Sequence, residues 1–99
     1  MITITAVIRV KPGSEGMMKK ALLDVAAHVA ANEPETIDFF LSQSVDDPTL
    51  FTTYERFANT AAKDRHNGSE AVARFFAIAK PLLDGDVVLV TAEEYSEKP

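Results

Sequence analysis

Apolar and polar residues along the 99-residue chain follow two alternating rhythms. Residues 2–10 are rich in Ile, Val and Thr, the composition of a strand. Lys11-Pro12-Gly13-Ser14 ends that run, because Pro removes a ladder donor and Gly permits an open turn. Ser14 stands where a helix N-cap belongs, and Glu15 suits the positive end of the helix. Met18, Leu22, Val25, Ala26 and Val29 recur three and four residues apart, so the spacing predicts a helix over 15–31, closed by Asn32-Glu33-Pro34. A strand follows over 36–44, with Ile37, Phe39 and Leu41 on one face and Thr36, Asp38, Phe40 and Ser42 on the other. Asp46-Asp47-Pro48 supplies a turn with its own side-chain acceptors, and 50–57 forms the second arm of a hairpin. A short helix covers 60–67, and Gly68-Ser69 breaks it and caps the next. Val72, Phe75, Phe76, Ala79, Leu82 and Leu83 define the apolar face of a helix over 69–83, whose last turn Pro81 weakens. Residues 87–95 read as a fourth strand and 96–99 as a polar tail.

The order β-α-β-β-α-β is the split βαβ, a ferredoxin-like α+β arrangement with an antiparallel sheet under two main helices. The whole chain, 1–99, is one domain with its core in 2–95. Helices cover one sheet face, yet every strand is apolar at both parities: Val7 beside Ile8, Phe39 beside Phe40, Leu50 beside Phe51, Val88 beside Leu89. A solvated face would be more polar. A second copy is the simplest cover, burying Phe51 or Tyr54 according to strand parity. A chain this short buries only roughly 60–65% of its unfolded surface by itself, so it gains from such a partner.

Composition narrows the chemistry. The 10 Lys and Arg are outnumbered by 15 Asp and Glu, giving a net charge of -5 with no basic stripe, so nucleic acid is not an expected partner. There is no Cys, which removes disulfides, thiolate chemistry and Cys-ligated metal. Two His without an acidic pair at ligand spacing suggest no metal site, and four Gly form no phosphate loop. The N-terminal residues lack the basic-then-apolar pattern of a signal peptide, and no run approaches ~20 apolar residues, so a cytoplasmic protein with no membrane contact is expected.

Several short motifs resemble one family in order and spacing. They are Lys11-Pro12-Gly13, Glu33-Pro34, then Val45-Asp46-Asp47-Pro48 followed by Phe51, Tyr54, Glu55 and Arg56, and finally His66 with Ser69. Over residues 2–95 the chain resembles the antibiotic biosynthesis monooxygenase domain family, which includes small quinol oxygenases. That resemblance implies a dimeric α/β barrel with a pocket in each subunit between sheet and helices. It implies a cofactor-free oxygenase of aromatic or quinol substrates. It also leaves open an isomerase of a small carbonyl compound and a non-catalytic small-molecule binding or stress protein. The chain departs from the family in having Phe57 where many members have Trp, and Glu70-Ala71 where many have Pro-His. Ala6 and Phe76 stand where the heme-degrading branch has its pocket Asn and axial His, and His66 where that branch has its Trp, which argues against heme. No cofactor is therefore expected.

His66 is the leading catalytic candidate, because imidazole can exchange a proton near neutrality and a helix break places it near a pocket mouth. Tyr54 and Arg56 share one strand face and could hold a phenolic or anionic ring oxygen, while Glu55 on the other face reads as structural. Phe39, Phe57 and Phe76 supply rings for an apolar substrate pocket.

Overall fold

The computed structural model describes residues 1–98. Its elements run β1 (Ile2–Arg9), α1 (Glu15–Asn32), β2 (Thr36–Gln43), β3 (Leu50–Phe57), α2 (Thr60–Asn67), α3 (Glu70–Ala79), a 3₁₀ turn (Lys80–Leu82) and β4 (Val88–Glu93). Each lies within a few residues of its expected span. The one change of type is at Pro81, where the α-helix gives way to the 3₁₀ turn. Proline has no N–H for the α ladder, so the chain tightens there.

All strand pairs are antiparallel, in the order β2-β3-β1-β4. The sheet is open, with free edges at β2 and β4, and this corrects the expectation of a barrel. Four strands cannot close on themselves, since the diameter of a barrel scales with strand number and even eight leave room only for side chains. The ferredoxin-like α+β architecture stands without closure.

Strand parity divides the sheet. Ile4, Ala6 and Ile8 of β1, with Phe51, Thr53, Glu55 and Phe57 of β3, face the helices and are buried. Against them pack Met18, Leu22, Val25 and Val29 of α1, together with Val72 of α3. Phe51 and Phe57 are fully enclosed, each contributing about 1.5–3 kcal/mol of apolar burial. The opposite face carries Val7, Phe40, Tyr54, Val88 and Val90, the last two more than half exposed. Phe51 therefore belongs to the core and Tyr54 to the helix-free face.

Ser14 holds the N-cap position of α1, but its hydroxyl caps nothing, because its backbone lies outside the extended region a capping residue adopts. Instead the Glu15 carboxylate accepts from the Gly13 N–H at 3.1 Å. β2 is irregular at its start: Thr36 pairs with Phe57 and Asp38 with Arg56, leaving Ile37 without a partner. This bulge turns Thr36 inward, where it is buried. None of the helices among the described residues is long and apolar enough to cross a membrane.

Candidate active site

The site forms where three chain segments meet around a buried imidazole. Asn59 caps α2 by accepting from the Ala62 N–H at 2.9 Å, and Gly68 closes it, so His66 lies in its last turn. That turn faces the sheet, and His66 is only 4% exposed. Glu33 lies at the C-cap of α1, and Glu55 lies on the helix-facing side of β3.

The two carboxylates hold the ring from opposite sides. His66 Nδ1 is 2.8 Å from Glu33 Oε1 and Nε2 is 3.3 Å from Glu55 Oε1. Each carboxylate is itself fixed: the Thr36 hydroxyl donates to Glu33 at 2.7 Å and the Thr53 hydroxyl to Glu55 at 2.8 Å. His28 of α1 brings Nε2 within 3.0 Å of Glu33 Oε2, without the alignment of a hydrogen bond. The rings of Phe57 and Phe39 flank His66 with centroids at 5.3 and 6.0 Å.

This arrangement sets the charge of the ring. Burial disfavours imidazolium, but hydrogen bonds to Glu55 and Glu33 outweigh it and move the His66 pKa upward. Burial likewise disfavours an ionised Glu33. The Thr36 hydroxyl and His66 overcome it, with His28 adding a smaller electrostatic contribution, and the Glu33 carboxyl is held below its ordinary range. The site therefore favours the imidazolium form more than water does, with Nδ1 bonded to Glu33 and Nε2 facing Glu55. Two phenyl rings near such a cation favour the same charge state.

His66 lines two depressions. Outside lies a polar cleft of about 320 Å³ bounded by Glu33, His28 and Arg65. Inside, between sheet and helices, lies an apolar pocket of about 180 Å³. Its walls are aliphatic and aromatic, with Phe39, Phe75 and Phe76 among them, and its only ionisable lining groups are Glu55 and His66. Phe76 and Leu89 are each about half exposed, so the pocket opens between α3 and β4.

Of the residues singled out from sequence, His66, Phe39 and Phe76 meet at this pocket, and Phe57 packs behind His66. Tyr54 and Arg56 lie on the opposite face of the sheet. There Arg56 binds Asp38 at 2.8 Å and Glu94 at 2.6 Å, and the Tyr54 hydroxyl donates to Glu94. That bond raises the Tyr54 pKa, and the same network lowers that of Glu94. Sequence reasoning passed over Glu55 as structural and Glu33 as part of a helix end. The available signal for Glu55 was its parity: an acidic residue alternating with Thr53 and Phe57 on a core-facing strand is buried, and a buried carboxylate needs a partner.

The family model for antibiotic biosynthesis monooxygenase matches residues 1–78, most of the chain. This chain belongs to the antibiotic biosynthesis monooxygenase family. Among solved structures, a Caulobacter crescentus protein provisionally named as an antibiotic biosynthesis monooxygenase is 26% identical, with a TM-score of 0.89, covering 96% of this chain and 90% of its own. A Pseudomonas aeruginosa protein is 25% identical, with a TM-score of 0.85 and coverage of 96% and 94%. A Mycobacterium tuberculosis protein at 19% identity and a TM-score of 0.89, covering 99% of this chain and 98% of its own, shares the fold. No curated protein is similar enough to this chain to count as a relative. For this member of the family, the pocket beside His66 is the place to look for chemistry.

Proposed function

We propose that the chain is a cofactor-free monooxygenase that oxidises a small aromatic or quinol-type substrate with molecular oxygen, working as a homodimer joined through the helix-free sheet face. The observation that carries this reading is the largely apolar pocket lined by Glu55 and His66, with Glu33 behind the imidazole. An electron-rich ring needs a dry cavity, a group that moves its proton, and space for oxygen. Phe39 and Phe76 contact the ring, Phe57 supports His66 from behind, and turnover depends on His66. Tyr54 and Arg56 are assigned to the subunit interface.

For a para-dihydroxynaphthalene the overall change is diol plus oxygen to hydroxynaphthoquinone plus water. One oxygen atom enters the ring and the other leaves in water, so no external reductant is required. Proton loss gives an anion that reduces oxygen, and the two join as a peroxide at ring carbon, which breaks its O–O bond to release water. The pocket is close to the about 150 Å³ of a cavity that takes benzene, which favours one- and two-ring quinols over three-ring anthrones.

The test is oxygen uptake by purified protein, without added flavin or metal, on dihydroxynaphthalenes and anthrones. Uptake of one oxygen per substrate, faster for dihydroxynaphthalenes, is expected. A protein inert across the series overturns the oxygenase reading in favour of small-molecule binding.

A further inference from the structure

We propose that Glu55 is the catalytic residue that takes a proton from substrate carbon and returns it, with His66 and Glu33 as positioning residues behind it. The proposal rests on the reading of the apolar pocket as the substrate site. It begins from a count of lone pairs. Both His66 nitrogens are within reach of carboxylate oxygens, so the ring has no free position for a substrate proton. Glu55 does. A carboxylate offers about four acceptor sites. Thr53 uses one on Oε2 and His66 Nε2 stands 3.3 Å from Oε1, which leaves at least one lone pair on each oxygen of a group that lines the pocket.

The surroundings of Glu55 single it out. Leu22 and Val25 of α1, Phe39 of β2, Val72 of α3 and Ile4 of β1, all apolar, line the same pocket. Among the described residues the charged group against it is His66 of α2, backed by Glu33, which His28 of α1 also approaches at 3.0 Å. A carboxylate in a largely apolar pocket, with one cation fixed at its back, is suited to a carbon acid: a ring carbon next to a carbonyl, as in the keto tautomer of a dihydroxynaphthalene. In the step, the C–H bond breaks and its electron pair moves into the ring as an enolate. The proton binds a Glu55 oxygen, and reversal returns it to the same carbon. No oxidant enters this step. His66 keeps the carboxylate aimed and supplies positive charge near the developing enolate, and Glu33 holds His66 in place.

The step can be observed without oxygen. Para-dihydroxynaphthalene is incubated under nitrogen in heavy water, and loss of the ring proton next to the hydroxyl-bearing carbon is followed by NMR. Wild type is expected to catalyse exchange, and Glu55→Gln to slow it by about 10²–10⁴-fold. His66→Gln should exchange more slowly than wild type and lose the alkaline limb of the pH profile, which reports imidazolium deprotonation. Glu33→Gln should move that limb to lower pH. If Glu55→Gln does not fold, Thr53→Val is used instead. Loss of the hydroxyl that fixes Oε2 lets the carboxylate turn away from the substrate carbon and should slow exchange by about 10²-fold. Exchange by Glu55→Gln or Thr53→Val within about threefold of wild type, or no exchange by wild type, overturns the proposal. A wild type that exchanges but takes up no oxygen refutes the monooxygenase reading and leaves Glu55 standing. A wild type that consumes oxygen no faster than Glu55→Gln does the reverse.

Discussion

A single buried ring ties α2, the end of α1 and β3 together, and its charge makes that tie dependent on pH. The His66 pKa is raised in the fold, so its stabilisation is complete below about 6.5, the ordinary imidazole value, and is lost as pH rises through the raised value. The Glu33 pKa is lowered, so its contribution is present above about 4.5 and is lost as pH falls through the lowered value. Both act fully together only in mildly acidic solution. Urea unfolding of wild type and His66→Gln across pH should show the largest stability difference there, narrowing toward alkaline pH. A difference that grows steadily with pH would contradict an imidazolium at this site. Glu33→Gln removes a charged hydrogen-bond acceptor from a buried donor and should cost on the order of 2 kcal/mol by the same measurement. Sequence alone made His66 visible, because a lone titratable ring beside a helix break is conspicuous. It did not reveal the engagement of both nitrogens, since Glu33 and Glu55 lie 33 and 11 residues away and only folding brings them together.

At the scale of elements, alternation and three-to-four spacing located every strand and helix, because each has one face that must be buried. Those rhythms do not say which strand face meets the helices. Tyr54 and Arg56 were correctly paired on one face, but that face is the helix-free one, and this separates them from the pocket. The bulge at Ile37 was also invisible, since one extra residue changes pairing without changing composition. The short α2 has few buried residues of its own, Ala62 and His66, and depends on its ends. Asn59→Ala removes the side chain that accepts from the Ala62 N–H and should destabilise the domain by about 1 kcal/mol. For a domain of this size that is a fall in Tm of about 4–8 °C, measurable by thermal circular dichroism. An unchanged Tm would show that packing of His66, rather than the cap, holds α2.

For the whole molecule, the helix-free face leaves apolar side chains uncovered. Val88, Val90 and Phe40 are more than half exposed on it, while Arg56 is ion-paired there with Asp38, Glu94 and Glu97. Sedimentation at micromolar concentration should give twice the 10.8 kDa chain mass, and Val90→Asp should shift it toward the single chain. A wild type that sediments as one folded chain would rule out the homodimer. The two free edges of the open sheet carry a different consequence. β2 begins with a bulge that twists its edge away from regular pairing, but β4 presents Val88-Leu89-Val90 on an exposed edge in regular register, uninterrupted by Pro or Lys. An edge of that kind is a template on which another extended chain can grow. If this protein aggregates when partly unfolded or concentrated, the first strand-to-strand contacts will form along β4, and the residues that border the pocket mouth will be the first drawn into fibrils.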